Sequence, residues 1–431
     1  MGYATRASNT RCKYRQIPVK ILLLVDQPLD ERNFDRFGLK TWIERGWTVE
    51  LWDLTPLAYP RVWQKHLQLG GTLKHFQGYY PIGSKSDLRR RYRKLRNTSH
   101  FIDFTGDYLL SARVKAHLIR QGIVRVICAT GSIPSPDDRA IGHFASKLRL
   151  AVSMGPMRAI KAAINALGQR LTASFVRPGL VVVSGTKSMP APVSGHMPDI
   201  IRAHNLDYDI YLRVGRSGVQ REKQFIAFID QDYCFHPEYI YQGVPAVVTP
   251  DKYFPAVCKG LRAISHALDM DIRIAAHPRS AYQQRVTDYF EEIPIEYGKT
   301  ADLIRDCSVV VCHDSTAIQL AVLYAKPVIF FSTDQLNSLQ FDGMRKQEVI
   351  AHFASELGKS AINVDRELEG VNWRKELSVD LGKYAQYKGK YIKIDGSGEL
   401  PCWEIVGRHL ENLSMRETKD YSQRTPLGDS D

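Results

Sequence analysis

The stretch that decides the fold is Asp271–Phe331, DIRIAAHPRSAYQQRVTDYFEEIPIEYGKTADLIRDCSVVVCHDSTAIQLAVLYAKPVIFF. It contains three short apolar runs, Ile272–Ala276, Ser308–Cys312 and Pro327–Phe331, two of them rich in Val and Ile. Each is too short for an ordinary helix, and helix-compatible segments separate them, which is the alternation of a parallel α/β sheet. Polar residues stand where the first two strands should end: His277-Pro278-Arg279 and His313-Asp314-Ser315-Thr316. Open α/β sheets bind ligands at those carboxyl edges.

Working outward, Phe225–Asp230 (FIAFID) predicts the first strand of this half, and a helix around Phe254–Leu268 leads into the quoted stretch. After it, Ser332–Met344 reads as loop, helices are expected to about Tyr391, and Cys402–Leu413 reads as a closing amphipathic helix before a polar, disordered tail. The N-terminal half repeats the α/β alternation. Lys20–Gln27 and Thr48–Leu54 predict strands around a helix, followed by strands at Phe101–Gly106, Val124–Thr130, Leu180–Ser184 and Asp209–Val214. It lacks GxGxxG, so a dinucleotide fingerprint is absent. The expected division is residues 17–216, residues 222–398, a closing helix at 400–413 and a tail at 414–431.

At 431 residues, 44% hydrophobic and 24% charged, the chain has the length and composition of a two-domain globular protein. Seven scattered cysteines without a CxxC pair point to a reducing compartment. No apolar run approaches the roughly 18 residues of a membrane span. The expected location is the cytoplasm, or the inner membrane surface as a peripheral protein. A net charge of +13 favours an anionic partner. Two basic segments stand out. Lys85–Arg96 includes Arg89, Arg90, Arg91, Arg93 and Lys94. Residues 139–198 contain no acid, and there Met154–Phe175 carries Arg158 and Lys161 at near-helical spacing. Either reads as a solvated helix face or as a contact with acceptor phosphates or anionic lipid. The basic residues form no recognition module, so nucleic acid is not the expected partner, although the charge leaves a nucleic-acid-binding protein as the non-enzyme alternative.

Several chemical signatures fail. Gly298-Lys299-Thr300 resembles the end of a phosphate loop, but Ile293 occupies the position of its first glycine. No GxSxG, HExxH or spaced Cys/His set occurs, and Asp230-Gln231-Asp232 alone is a weak metal motif. What remains is a phosphate-binding pattern: Ser315 and Thr316 at an expected helix N-terminus, with His277 and Pro278 one strand away. Ordinary N-capping by Asp314 or Ser315 is the plainer alternative. Asp230, at the end of its strand, is a candidate base or nucleophile, with Asp232 its rival; a turn-capping role is the plainer one.

His277-Pro278 and His313-Asp314-Ser315-Thr316 resemble the His-Pro and Ser-Ser/Thr motifs of bacterial CMP-sugar glycosyltransferases of the GT-B fold, among them sialyl- and polysialyltransferases. The run from Phe225 through Asp230 and Phe235-His236-Pro237, AAHPRS, the segment from Tyr297 to Val322 and Cys402-Trp403-Glu404-Ile405-Val406 is most similar to retaining transferases of β-Kdo (3-deoxy-manno-octulosonic acid). The resemblance implies two Rossmann-like domains across a cleft, the first (residues 17–216) binding the acceptor and the second (residues 222–398) the CMP-sugar donor, with CMP phosphate held by His277, Pro278, Arg279, Ser315 and Thr316. It sets Tyr297, Gly298, Lys299, Thr300 and His313 near the nucleotide. It makes Asp230 the nucleophile of a double displacement, or the base that comparable acids provide in inverting sialyltransferases. Asp314 departs from the family pattern, which often has Ser there, and Asp232 adds a second acid. The implied reaction is metal-independent transfer of Kdo from its CMP form to a lipid-linked or free saccharide in O-antigen or capsule assembly, with no cofactor. Sialic, legionaminic or pseudaminic acid, or an ordinary UDP- or dTDP-sugar, are the alternative donors.

Overall fold

The computed structural model describes residues 20–68, 73–135, 175–190, 197–215, 224–236, 248–341 and 344–424. Two sheets organise it, each with every pairing parallel. The first comprises β1 (Lys20–Val25), β2 (Thr48–Asp53), β3 (Tyr79–Pro81), β4 (His100–Phe104), β5 (Val124–Ala129), β6 (Leu180–Val183) and β7 (Asp199–Arg202), in the order 3-2-1-4-5-6-7. The second comprises β8 (Phe225–Ile229), β9 (Asp271–Ala275), β10 (Ile295–Glu296), β11 (Val309–Cys312), β12 (Val328–Ser332) and β15 (Ala361–Asn363), in the order 10-9-8-11-12-15. A small antiparallel hairpin, β13 (Gln340–Phe341) and β14 (Met344–Arg345), lies beside it in the chain. Strand order reverses between β1 and β4 and again between β8 and β11. Each domain is therefore Rossmann-like, with a ligand crevice expected at its reversal point.

The strands are continuous apolar runs because helices cover both faces. FIAFI of β8 and VIFFS of β12 are buried throughout. The expected helix around Phe254–Leu268 is present as Pro250–Leu268, with Pro250 at its first turn. Several elements differ from expectation. Asp209–Val214 is not a strand but the end of a helix, Leu206–Val214, whose Asn205 side chain caps it by accepting the Tyr208 N–H at 3.0 Å. The last strand is instead Asp199–Arg202. Ser332–Met344 holds a short helix, Asp334–Ser338, and the first half of the hairpin, while β15 interrupts the following helices.

The closing helix extends beyond Leu413 to Arg424, where a disordered tail was expected. It packs on the first sheet. Cys402, Trp403, Val406 and Leu410 join the cluster of Ile21, Leu23, Phe37 and Trp42. Arg45 fixes the angle by donating to Glu404 at 2.6 Å and to Glu411 through Nε at 3.2 Å. Gly38, at φ +70°, lies under the Trp403 ring, where a Cβ would sit 2.4 Å from Cγ. The domains are joined by apolar packing, Tyr208 entering the second core and Ile394 meeting Val181 and Val183, and by polar contacts: Asn205 N–H donates to Ile392 O at 2.9 Å, the Asn205 amide to Gln319, and His204 Nε2 lies 2.7 Å from Leu400 O. No helix among the described residues is long and apolar enough to cross a membrane.

Candidate active site

Asp230 follows β8 directly and is 2% exposed. Its Oδ1 accepts the Asp232 N–H at 3.0 Å and its Oδ2 the Tyr282 hydroxyl at 2.9 Å, with a longer 3.5 Å contact from the His277 N–H. Burial pushes its pKa up, and these donors, which favour the charged form, work against that rise. Asp232 adopts φ 52°, a left-handed conformation that Asp tolerates. Burial and then the neighbouring Asp230 charge push Asp232 up to about 7. Two acids therefore share one hydroxyl, that of Tyr282, which contributes to lowering both.

His277 begins the turn after β9. Its Nδ1 accepts the Arg279 N–H at 3.2 Å, so in the neutral ring Nε2 carries the proton. The Ser280 hydroxyl closes the turn on His277 O at 2.7 Å. Burial first, then the positive fields of His236, Arg279 and Arg32, hold the imidazole down to about 4. At neutral pH His277 is thus an uncharged Nε2–H donor. The His236 ring stands edge-on to it, 4.9 Å between centroids.

The turn after β11 departs from the expected phosphate site. The helix does not begin at Ser315. Ile318 N–H donates to Ser315 O at 3.3 Å and Gln319 N–H to Thr316 O at 3.1 Å, tight turns that delay the helix to Ile318–Leu323. Ser315 Oγ accepts the Ala317 N–H at 3.3 Å, and Thr316 is exposed at the rim. His313 is fully buried. Its Nδ1 donates to Phe331 O at 2.8 Å and its Nε2 accepts the Tyr253 hydroxyl at 3.0 Å, leaving no ring nitrogen for a nucleotide. Asp314 does not face a phosphate either. Its carboxylate takes Lys346, Tyr233 and the Gln231 amide, and although burial works the other way these donors hold its pKa below the usual range.

The first domain supplies the opposite wall. Arg32 and Arg36 lie on Glu31–Arg36, the helix after β1. Arg32 contributes to the depression of His277. Arg36 feels Arg279 on one side and Asp26 and Asp30 on the other, with burial lowering its own pKa. His66, whose Nε2 is buried without a partner among the described residues, also feels Arg279. Arg32 and Arg36, just after β1, thus share an electrostatic environment with the His277–Arg279 turn after β9, one that also includes Asp26 and Asp30.

Of the remaining expected residues, Pro278 and Arg279 sit in the His277 turn. Tyr297 is at the rim and within the field of Asp230. Lys299 pairs with Glu296 at 3.3 Å, Gly298 turns the chain at φ +68°, and Thr300 opens the helix Thr300–Asp306. Arg89, Arg90, Arg91, Arg93 and Lys94 lie on Lys85–Lys94, which buries Leu88 against the first sheet. Within that helix Arg90 is paired with Asp87 at 2.6 Å and Arg91 stacks 3.9 Å from the Tyr80 ring centre. Arg158 and Lys161 lie outside the described residues. Tyr282, Arg32, Arg36 and Lys346 went unread in the sequence. Only Arg32 and Arg36 carried a signal, one helical turn apart just after a strand. Among the described residues no group of three or more His, Cys, Asp or Glu is arranged to hold a metal.

No family model and no curated protein matches the chain. Among solved structures, a glycotransferase of kitacinnamycin aligns over 87% of this chain and 96% of its own at 12% identity, with TM-score 0.47. MurG of Acinetobacter baumannii aligns over 92% and 99% at 10% identity, with TM-score 0.45. A variant of the wall teichoic acid polymerase TagF aligns over 94% and 90% at 10% identity, with TM-score 0.47. Scores below 0.5 at such identities say nothing of donor or acceptor.

Proposed function

We propose that the chain is a glycosyltransferase that moves a 2-keto-3-deoxy sugar acid, Kdo before other ulosonic acids, from its CMP form to a saccharide acceptor of bacterial surface polysaccharide. One observation carries the reading. The His277 turn, with its Nε2–H and Arg279, lies against the buried Asp230 and within the field of Arg32 and Arg36. A CMP-ulosonic acid brings two anions to such a cleft, the phosphodiester and the anomeric carboxylate. Preorganised cations and an N–H donor stabilise the charge that grows on the phosphate as the glycosyl–oxygen bond breaks. This chemistry needs no metal, and chelation with EDTA is expected to leave turnover unchanged.

Asp230 is the acid proposed to act at the anomeric carbon, with Asp232 next to it. As nucleophile it forms a glycosyl-enzyme while CMP departs with the bonding electrons, and the acceptor oxygen then displaces it with retention. As base it takes the acceptor hydroxyl proton while that oxygen attacks directly, with inversion. Calorimetric titration with CMP, UDP and dTDP tests the donor class; binding of UDP with no response to CMP would overturn it. Product NMR after incubation with CMP-Kdo then reads the linkage and assigns the role of Asp230.

A further inference from the structure

The second domain has a recess at the edge opposite Asp230 and His277. The helix Ile318–Leu323 follows β11 and runs back from the carboxyl edge, so its end and Ala325, just before β12, stand at the amino edge of the sheet. There it packs on Leu206–Val214, the last helix described before β8. With the helix Leu381–Tyr387, Lys388 and Glu399, these elements enclose about 380 Å³, within the range of small-molecule sites.

Rings and aliphatic groups make up most of the lining. The Tyr208 and Tyr211 rings lie 5.5 Å apart at 38°. Val322 and Tyr384 are buried beside them, and Leu381, 66% exposed, borders the solvent. The Tyr384 hydroxyl is engaged by Lys326 O at 2.8 Å, whereas the Tyr211 hydroxyl has no hydrogen-bond partner among the described residues.

The charges at the recess do not cancel. Glu399 accepts the Tyr208 hydroxyl at 2.8 Å and pairs with Lys393 at 3.6 Å, and Lys393 also donates to Ser397 O at 2.7 Å. Lys388 holds its ammonium 5.9 Å from the centre of the Tyr208 ring and has no carboxylate partner among the described residues. Burial first, and then the Lys388 charge, lower the pKa of Lys393 against the pull of Glu399. One cation thus stands unmatched beside an aromatic surface.

We propose that this recess binds a small flat monoanion, an aryl carboxylate by class, whose acid group meets Lys388 and whose ring rests against Tyr208 and Tyr211 beside Leu381. A neutral aryl ligand leaves the ammonium unmatched, and a second negative charge is repelled by Glu399. Tyr208 and Tyr211 belong to the helix that ends the first half of the chain, and Glu399 to the segment that returns to the closing helix. A ligand held here therefore ties together the two passages between the domains. The site is separate from the Asp230 site, and the inference does not rest on the transferase reading.

The test titrates 2-naphthoate into the full chain, with 2-naphthamide as its neutral counterpart, followed by saturation-transfer NMR and calorimetry. Naphthoate should bind with a Kd of about 1 mM or tighter, the value its size sets, and about three-fold or more tighter than the amide. Lys388→Gln should weaken naphthoate about five-fold, the effect of one half-open ion pair, and leave the amide unchanged; Lys388→Arg should restore it. Ala385→Trp, at an exposed lining position, should exclude both ligands with the urea midpoint unchanged. CMP should not compete. No naphthoate binding, equal affinity for the amide, affinity untouched by Lys388→Gln or Ala385→Trp, or displacement by CMP would each overturn the proposal. Lys388-dependent naphthoate binding in a protein that ignores CMP would support the recess and overturn the donor assignment alone.

Discussion

The Tyr282 hydroxyl donates to Asp230 Oδ2 at 2.9 Å, so the turn beyond β9 steadies the acid that ends β8. A donor to the charged form holds a carboxylate's pKa down. Tyr282→Phe should let Asp230 rise further, moving the acid limb of the pH profile of kcat/KM upward. It should also cost about 1–3 kcal/mol in urea unfolding, because a buried acceptor loses its partner.

Donor binding and turnover should separate by residue. On the proposed assignment, His277→Ala removes one neutral donor to the phosphate and should raise the KM for the CMP-sugar about ten-fold, the effect of one hydrogen bond. Asp230→Asn keeps the shape and the donors around it but removes the charge proposed to react. Its kcat should fall by about a thousand-fold or more with CMP affinity little changed. Equal losses in both parameters for both variants would contradict the assignment.

His313 should report through stability, not catalysis. Burial holds its folded pKa down to about 4, below its ordinary value near 6.5. The folded state therefore binds fewer protons than the unfolded chain between those values. The stability it contributes is fully present above about pH 6.5 and is lost as pH falls toward 4. His313→Gln should flatten the pH 5–7 slope of the urea midpoint by roughly 1–2 kcal/mol in unfolding free energy. At neutral pH CMP affinity should hold.

Gly38→Ala should loosen the closing helix. The residue has positive φ, and its new methyl would strike the Trp403 ring. Strain and overpacking together should cost about 2–4 kcal/mol. Faster limited proteolysis near Cys402 than in wild type is the measurable sign.

The sequence revealed the parts of this fold that rest on local pattern. The apolar runs at β1, β8, β9, β11 and β12 announced parallel strands, and the residues just past them lie at the carboxyl edges of the two sheets. Short elements were hidden. Asp199–Arg202 has only one fully buried residue, Ile201, and pairs as an edge strand. Asp209–Val214 alternates like a strand, but Asn205 caps it into a helix. At the site, adjacency in sequence misled where partners came from afar. His313 looked ligand-facing because Tyr253, sixty residues earlier, cannot be seen as its partner. Asp314 likewise hides a lysine 32 positions on. Tyr282 was invisible for the same reason.

The return of Cys402–Arg424 to the first sheet also sets an order of events during synthesis. Strands β1 to β7 leave the ribosome early, yet Trp403, Val406 and Leu410 belong to their core cluster. Until those later-made residues emerge, Ile21, Leu23 and Trp42 lack part of their cover. The first core is begun before the second sheet is made and sealed after it, which gives a chaperone a defined surface to guard and makes a chain interrupted after Ile394 prone to aggregate.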